Sequence, residues 1–214
     1  MIGARGVASA AVMAVAAGCL LAGTAGAASA QRSGRGGTVT RALTNAACAS
    51  DLGMGVKSRR RFCDVIIAST PRESVSIVIP PRTGVATLLF DLHNRFTVPP
   101  AGTDLSQAFV RHTAVVAVIR PTGEVIERAA VSREYRTVGD LFDRIAGPGR
   151  GSAPRIVAPG QAQAVSIEIP SGIASVGIVA ARLEEWRAGG RGTFDNPNKP
   201  IALVSNLRLE FTPR

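Results

Sequence analysis

The chain has few of the side chains on which most catalysis depends. Only two histidines, His93 and His112, occur in 214 residues, with three cysteines, one tyrosine and one tryptophan. No HExxH pair is present to hold a catalytic zinc, and no CxxC to run dithiol chemistry. A GxSxG nucleophile turn and a GxGxxG dinucleotide cradle are also missing. The stretch 53–58 (GMGVKS) has the look of a phosphate loop, but Val56 stands where that loop needs glycine directly before Lys57. Lysine occurs only at Lys57 and Lys199, so the basic surface is written almost wholly in arginine. After residue 30, charged residues break every apolar run well short of the ~20 residues a membrane-spanning helix needs, and no transmembrane span is expected in the mature chain.

The first thirty residues differ from the rest. Arg5 is followed by an uncharged, mainly apolar stretch over 7–21, and Ala28-Ser29-Ala30 closes it. This is the three-part pattern of a cleavable export signal with a small-x-small cleavage site. The expectation is therefore removal of 1–30, a flexible Gly/Ser/Arg arm over 31–37, and one domain over 38–214. The protein would be exported, to the periplasm or the extracellular space. A second processing route has its own signal: Ala16-Ala17-Gly18-Cys19 is similar to the box preceding the acylated cysteine of bacterial lipoproteins, and would anchor the chain by lipid at Cys19.

Without the leader two cysteines remain, Cys48 and Cys63. In an oxidising compartment such a pair is expected to form one disulfide. Metal ligation lacks a second ligand pair, and thiol catalysis lacks a CxxC or a nearby histidine.

The formal net charge is +10, or +9 once Arg5 has gone with the leader. A basic balance favours polyanions as partners, an anionic polysaccharide or another envelope component among them. The one dense basic cluster is 57–61 (KSRRR), in which Lys57, Arg59, Arg60 and Arg61 form the candidate polyanion patch. Phe62 is the only aromatic beside it, so the interleaving of aromatics typical of nucleic-acid surfaces is absent and no specific nucleic-acid binding is expected.

From Thr38 onward the strongest periodicity is two, as a half-buried strand requires. Val75, Ile77 and Ile79 alternate with Ser74, Ser76 and Val78, and Ala86, Leu88, Phe90 and Leu92 with Val85, Thr87, Leu89, Asp91 and His93, a mixed second face that predicts cover on both sides for part of that strand. Val165, Ile167 and Ile169 follow the pattern, and a last strand buries Ile201, Leu203, Leu207, Leu209 and Phe211. Two long runs, 113–119 and 125–135, flank Pro121-Thr122-Gly123 and read as a β-hairpin. The pattern predicts an all-β fold: a single antiparallel β-sandwich, Greek-key or jelly-roll-like, with about eight or nine strands. One or two short connecting helices are predicted as well. Val138, Leu141, Phe142 and Ile145 lie at helical spacing behind a Thr137-x-x-Asp140 capping box, and 44–52 is the second candidate. One internal echo stands out: 75–80 (VSIVIP) recurs as 165–170 (VSIEIP), each followed by a glycine-containing turn and a long apolar strand.

Candidate site residues are few. Asp91, His93 and Arg95 form the densest polar group, and alternation puts Asp91 and His93 on one strand face, where a carboxylate can orient an imidazole. His112 is the other candidate base, and a small hydrolase using either histidine is the alternative function. Asp195, Asn196 and Asn198 gather oxygens in one loop, too few for the ~6 to 8 a calcium ion takes. Trp186, with Arg187 and Arg191 beside it, offers a stacking platform for a sugar ring. No metal or cofactor is called for by any of these patterns. The leading expectation is a non-catalytic β-sandwich that binds or packs against a component of the bacterial cell envelope.

Overall fold

In a computed structural model, residues 37–44, 46–68, 71–99, 109–147 and 153–214 are described. The expected leader, the lipid-acceptor Cys19 and nearly all of the expected arm lie outside them.

Twelve strands are found among the described residues, more than the sequence periodicity reveals. They are β1 (Val39–Ala42), β2 (Asp51–Met54), β3 (Arg61–Ile66), β4 (Val75–Val78), β5 (Arg82–Thr97) and β6 (Val110–Ile119). After them come β7 (Val125–Tyr135), β8 (Val157–Pro159), β9 (Gln163–Ile169), β10 (Ser175–Arg187), β11 (Gly190–Phe194) and β12 (Pro200–Pro213). Every pairing between them is antiparallel.

They form two sheets arranged as a sandwich. The seven-stranded sheet is built on β12 and β5, which pair along most of their length. β12 also holds β3 with its first half and β1 with its second, while β5 holds β9 and β8 on its far side. In the five-stranded sheet β10 pairs β6 along its length, β4 joins the first half of β10 and β11 the second, and β7 follows β6. The core between the sheets holds residues the alternation marks, among them Val75, Ile77, Leu88, Phe90, Ile167 and Leu209, all at most 1% exposed, but on β12 it takes Val204 where the alternation puts Leu203, which packs in a separate cluster.

The repeated VSIVIP and VSIEIP segments are β4 and β9, and each departs from the expected hairpin. β4 belongs to the five-stranded sheet and its successor β5 to the seven-stranded one; β9 and β10 make the reverse passage. Each unit is thus a corner that crosses between the sheets. The two corners interlock, because β4 pairs with β10 and β9 with β5. Proline explains why neither strand runs on: Pro80 and Pro81 after β4, and Pro170 after β9, cannot donate to a ladder. Arg82, the first residue of β5, locks one corner to the other. Its buried guanidinium donates to the carbonyls of Ile173 at 2.9 Å and Pro170 at 2.6 Å.

The predicted hairpin between β6 and β7 is present, turning on Gly123 at φ 88°. The predicted helices are not. Residues 138–145 contain only a single 3-10 turn, Val138–Asp140, after which Leu141 is extended. The Asp140 carboxylate does accept from the backbone of Arg136 and Thr137, both at 2.8 Å, but it caps one turn and no more. The second helix candidate, 44–52, ends inside β2 and bridges through Ala47 to Ser76. Cys48 and Cys63 are joined in a disulfide, with Cα atoms 5.6 Å apart.

Candidate functional site

Alternation carries Asp91, His93 and Arg95 to the face of the seven-stranded sheet turned away from the core, and each is claimed by a different neighbour. Asp91 forms an ion pair with Arg60 and accepts from Asn206 at 3.3 Å. Arg95 donates through Nε to Asp64 at 2.8 Å, and Ser50 donates to the other oxygen of that carboxylate. His93 is fully buried. Its Nδ1 lies 2.8 Å from the Gly160 carbonyl, which can only accept, so Nδ1 carries the proton and Nε2 accepts from the Ser205 hydroxyl at 2.9 Å. Phe62 and Phe142 enclose the ring, with centroids 5.4 and 5.1 Å away. Burial pushes the His93 pKa below the ordinary histidine value, the Gly160 hydrogen bond only partly offsetting it. Gly160 is obligatory here, because a Cβ would stand 2.6 Å from the Phe96 ring. Asp91 and His93 share a face as expected, yet the imidazole is bound elsewhere through both nitrogens.

His112 stands on β6 at one end of the sandwich, beside a cleft of about 490 Å³ lined by Arg95, Phe96, Tyr135, Glu185 and Arg187, among others. Its Nε2 is 2.9 Å from Glu185 and its Nδ1 is 3.2 Å from the Arg95 carbonyl. Arg187 grips the same glutamate at 2.5 and 3.1 Å. The ring stacks on Phe96 at 5.0 Å, and Phe96 stacks on Tyr135 at 5.3 Å. The Tyr135 hydroxyl is buried and has no hydrogen-bond partner. Burial lowers the His112 pKa, against the opposing pull of Glu185.

The basic cluster 57–61 forms the turn between β2 and β3. What fixes it is Asp143, whose carboxylate accepts from the backbone of Lys57 at 3.0 Å and of Ser58 at 2.7 Å. Burial would raise the Asp143 pKa, but these bonds and that to Arg144 hold it below the usual carboxylate value. A Cβ on Gly55 would lie 2.3 Å from the same carboxylate. Arg60 is committed to Asp91 and stacks over Phe142, while Arg61 serves Asp51 and the Ala46 carbonyl. The three arginines 59–61 border an open groove of about 360 Å³ reaching Leu43 and Leu207.

Trp186 lies on β10 and is 43% exposed. It faces the opposite way from Glu185 and Arg187, so the cleft does not include it. Its companions are Arg191, whose guanidinium is 4.8 Å from the ring centroid, and Arg111, its cross-strand partner on β6. Asp195, Asn196 and Asn198 are all exposed in the β11 to β12 connection, which is clasped to Ile67 through the Asn198 amide at 2.8 Å. The sequence candidates therefore fall into separate places: Arg95 and His112 line one cleft, Arg59, Arg60 and Arg61 border another groove, and the rest stand apart. Glu184, Glu185, Tyr135, Asp143 and Ser205 escaped the sequence reading. For Glu184 and Glu185 the signal was available in the alternation of Glu184, Trp186 and Glu185, Arg187 along β10. Among the described residues no three His, Cys, Asp or Glu side chains are placed to hold a metal ion.

No protein-family model and no curated protein sequence matches the chain. Among solved structures, one that it resembles is the K1 cleaved adhesin domain of Lys-gingipain from Porphyromonas gingivalis W83. That likeness has a TM-score of 0.31 and 10% identity, covering 84% of this chain and 100% of the adhesin domain. The VP2 subviral particle of infectious bursal disease virus is another, at a TM-score of 0.24 and 13% identity, covering 83% of this chain and 32% of that one. Both scores are too low to speak for a shared fold or a shared role.

Proposed function

We propose that this chain is an exported, non-catalytic β-sandwich module that binds or packs against a component of the bacterial cell envelope. The observation that carries the reading is the fate of the two histidines. His93 has both ring nitrogens hydrogen-bonded inside the fold, to Gly160 and Ser205, while those of His112 face two acceptors, the Arg95 carbonyl and the Glu185 carboxylate, and the neutral ring donates to one of them. A general base needs a nitrogen within hydrogen-bond reach of the proton it takes, and here that reach is spent on the protein itself. The polar outer surfaces are left for recognition. The disulfide is consistent with export, and no helix among the described residues is long and apolar enough to cross a membrane.

The hydrolase alternative draws on one feature, the His112 and Glu185 pair at the edge of a cleft. The two readings separate on His112→Gln, which keeps the packing and removes the base. A binding module retains full association with isolated envelope fractions in this variant and hydrolyses neither ester nor glycan substrates. Hydrolysis by the parent that His112→Gln abolishes would overturn the binding reading. Export is tested by intact mass: protein recovered outside the cytoplasm is expected to begin at Gln31 and to carry no free thiol. A chain beginning at Met1 defeats the leader, and a lipid on Cys19 establishes the anchored form.

A further inference from the structure

The outward face of the five-stranded sheet carries a constellation that none of these assignments uses. Register sets Trp186 directly opposite Arg111 on one neighbouring strand and Arg191 on the other. Adjacent strands lie ~4.8 Å apart, so the two arginine backbones flank the indole about 10 Å from one another. Glu184, on the same face as Trp186, is held by Arg191 at 3.1 Å and Arg182 at 3.2 Å. Glu134 on β7 is held by Arg111 and by Arg136, the latter at 2.8 Å. Each glutamate thus sits between two guanidiniums, and each group of three keeps one net positive charge. The hydroxyls of Thr113 and Ser132, 2.8 Å apart, lie on this face between the two groups. The side chains of Arg111, Arg182, Arg191 and Arg136 are 48%, 56%, 53% and 65% exposed.

We propose that this face binds a carboxylated polysaccharide, with Trp186 as the stacking platform for a sugar ring and the flanking arginines as clamps for uronate carboxylates. The assignment rests on the binding-module reading and names its ligand class. A flat indole with one wet edge suits the apolar face of a pyranose. Exposed ion pairs contribute little to stability, so a guanidinium can turn from its glutamate to a ligand at small cost. The ligand group it would meet is of the kind it already holds: arginine's planar fork fits a carboxylate, and four arginines here hold two of them. The excess positive charge selects an acidic chain over a neutral one. Repetition favours a polymer, since Arg191 and Arg111, one from each arginine–glutamate–arginine group, flank the indole on its two neighbouring strands and address successive acidic sugars.

Trp186 is the only tryptophan, so fluorescence excited at wavelengths that Tyr135 does not absorb reports on this face alone. The experiment titrates the protein, as recovered from cells, with polygalacturonate and with dextran as the neutral control, and runs affinity electrophoresis through gels containing each polymer. Saturable fluorescence change and retardation are expected with polygalacturonate and not with dextran, weakening several-fold between about 20 and about 200 mM salt. Trp186→Ala and the double variant Arg111→Ser, Arg191→Ser are each expected to weaken retardation by about tenfold or more, whereas Arg59→Ser changes it less than about twofold. Retardation that persists in Trp186→Ala but vanishes in Arg59→Ser overturns this face and leaves the binding-module reading standing. Equal signals from dextran, or none from polygalacturonate, overturn the ligand class. Cleavage of the polymer by the parent protein would instead defeat the binding-module reading itself.

Discussion

The outward faces of the two sheets begin from one pattern, polar residues at every second position of a long strand, and end in opposite states. On the seven-stranded sheet Asp64, Asp91 and His93 are buried, and Phe142 and Ile145 close over Phe62 and Leu203 to make a second small core on that side. On the five-stranded sheet the half around Trp186 has no such cover among the described residues. A polar residue under a roof must find its partner inside the protein. One in the open can leave its partner for a ligand. The histidine beside Asp91 accordingly has both nitrogens held inside the fold, and Trp186, on the open face, keeps its ring in reach of solvent.

The sharpest way to break this comparison is truncation beneath the roof. Phe62→Ala removes a fully buried ring and is expected to cost about 3–5 kcal/mol in urea unfolding; a loss below about 1 kcal/mol would mean the covered face is not a core. Ser205→Ala leaves Nε2 of His93 buried without its donor and is expected to cost about 1–3 kcal/mol. Protonation probes the same spot. Burial lowers both histidine pKa values, so the unfolded chain takes up protons at a pH where the folded one does not. Stability is then full above about pH 6.5 and falls as the pH drops towards the folded values, by at most about 1.4 kcal/mol per pH unit for each histidine. His93→Gln is expected to flatten the decline of the unfolding midpoint between about pH 6.5 and 5.5, and an unchanged slope would place the titration elsewhere. The smallest effect belongs to the open face: Trp186→Ala is expected to shift stability by no more than about 0.5 kcal/mol. A larger loss in the same urea titration would show that the indole packs as a core residue does.

Much of the sandwich was legible because alternation reports burial on one side of a strand. Residues 75–79, 86–92 and 165–169 were read correctly for that reason, and so was the β6 to β7 hairpin. The short strands β1, β2, β8 and β11 were not, since three to five residues carry little periodicity and their pairing is decided by partners far along the chain. The helix over 138–145 failed for a different cause. Leu141 packs with Phe96 and Tyr135, while Phe142 and Ile145 pack with Phe62, so two separate clusters together imitate one helical stripe. The echo of 75–80 in 165–170 was visible as a repeat, but nothing local told that each copy changes sheet. The site was the least legible part: the mixed outer face of 85–93 pointed to cover on both sides of the strand, but nothing local named the segment that supplies it or the partners His93 takes.

β12 follows every strand it joins, and it is the shared edge of β1, β3 and β5. Those three have no common partner until it arrives: β3 with β2, β5 with β8 and β9, and β1 alone are separate pieces of the seven-stranded sheet before β12 docks. Its docking joins those pieces into one sheet.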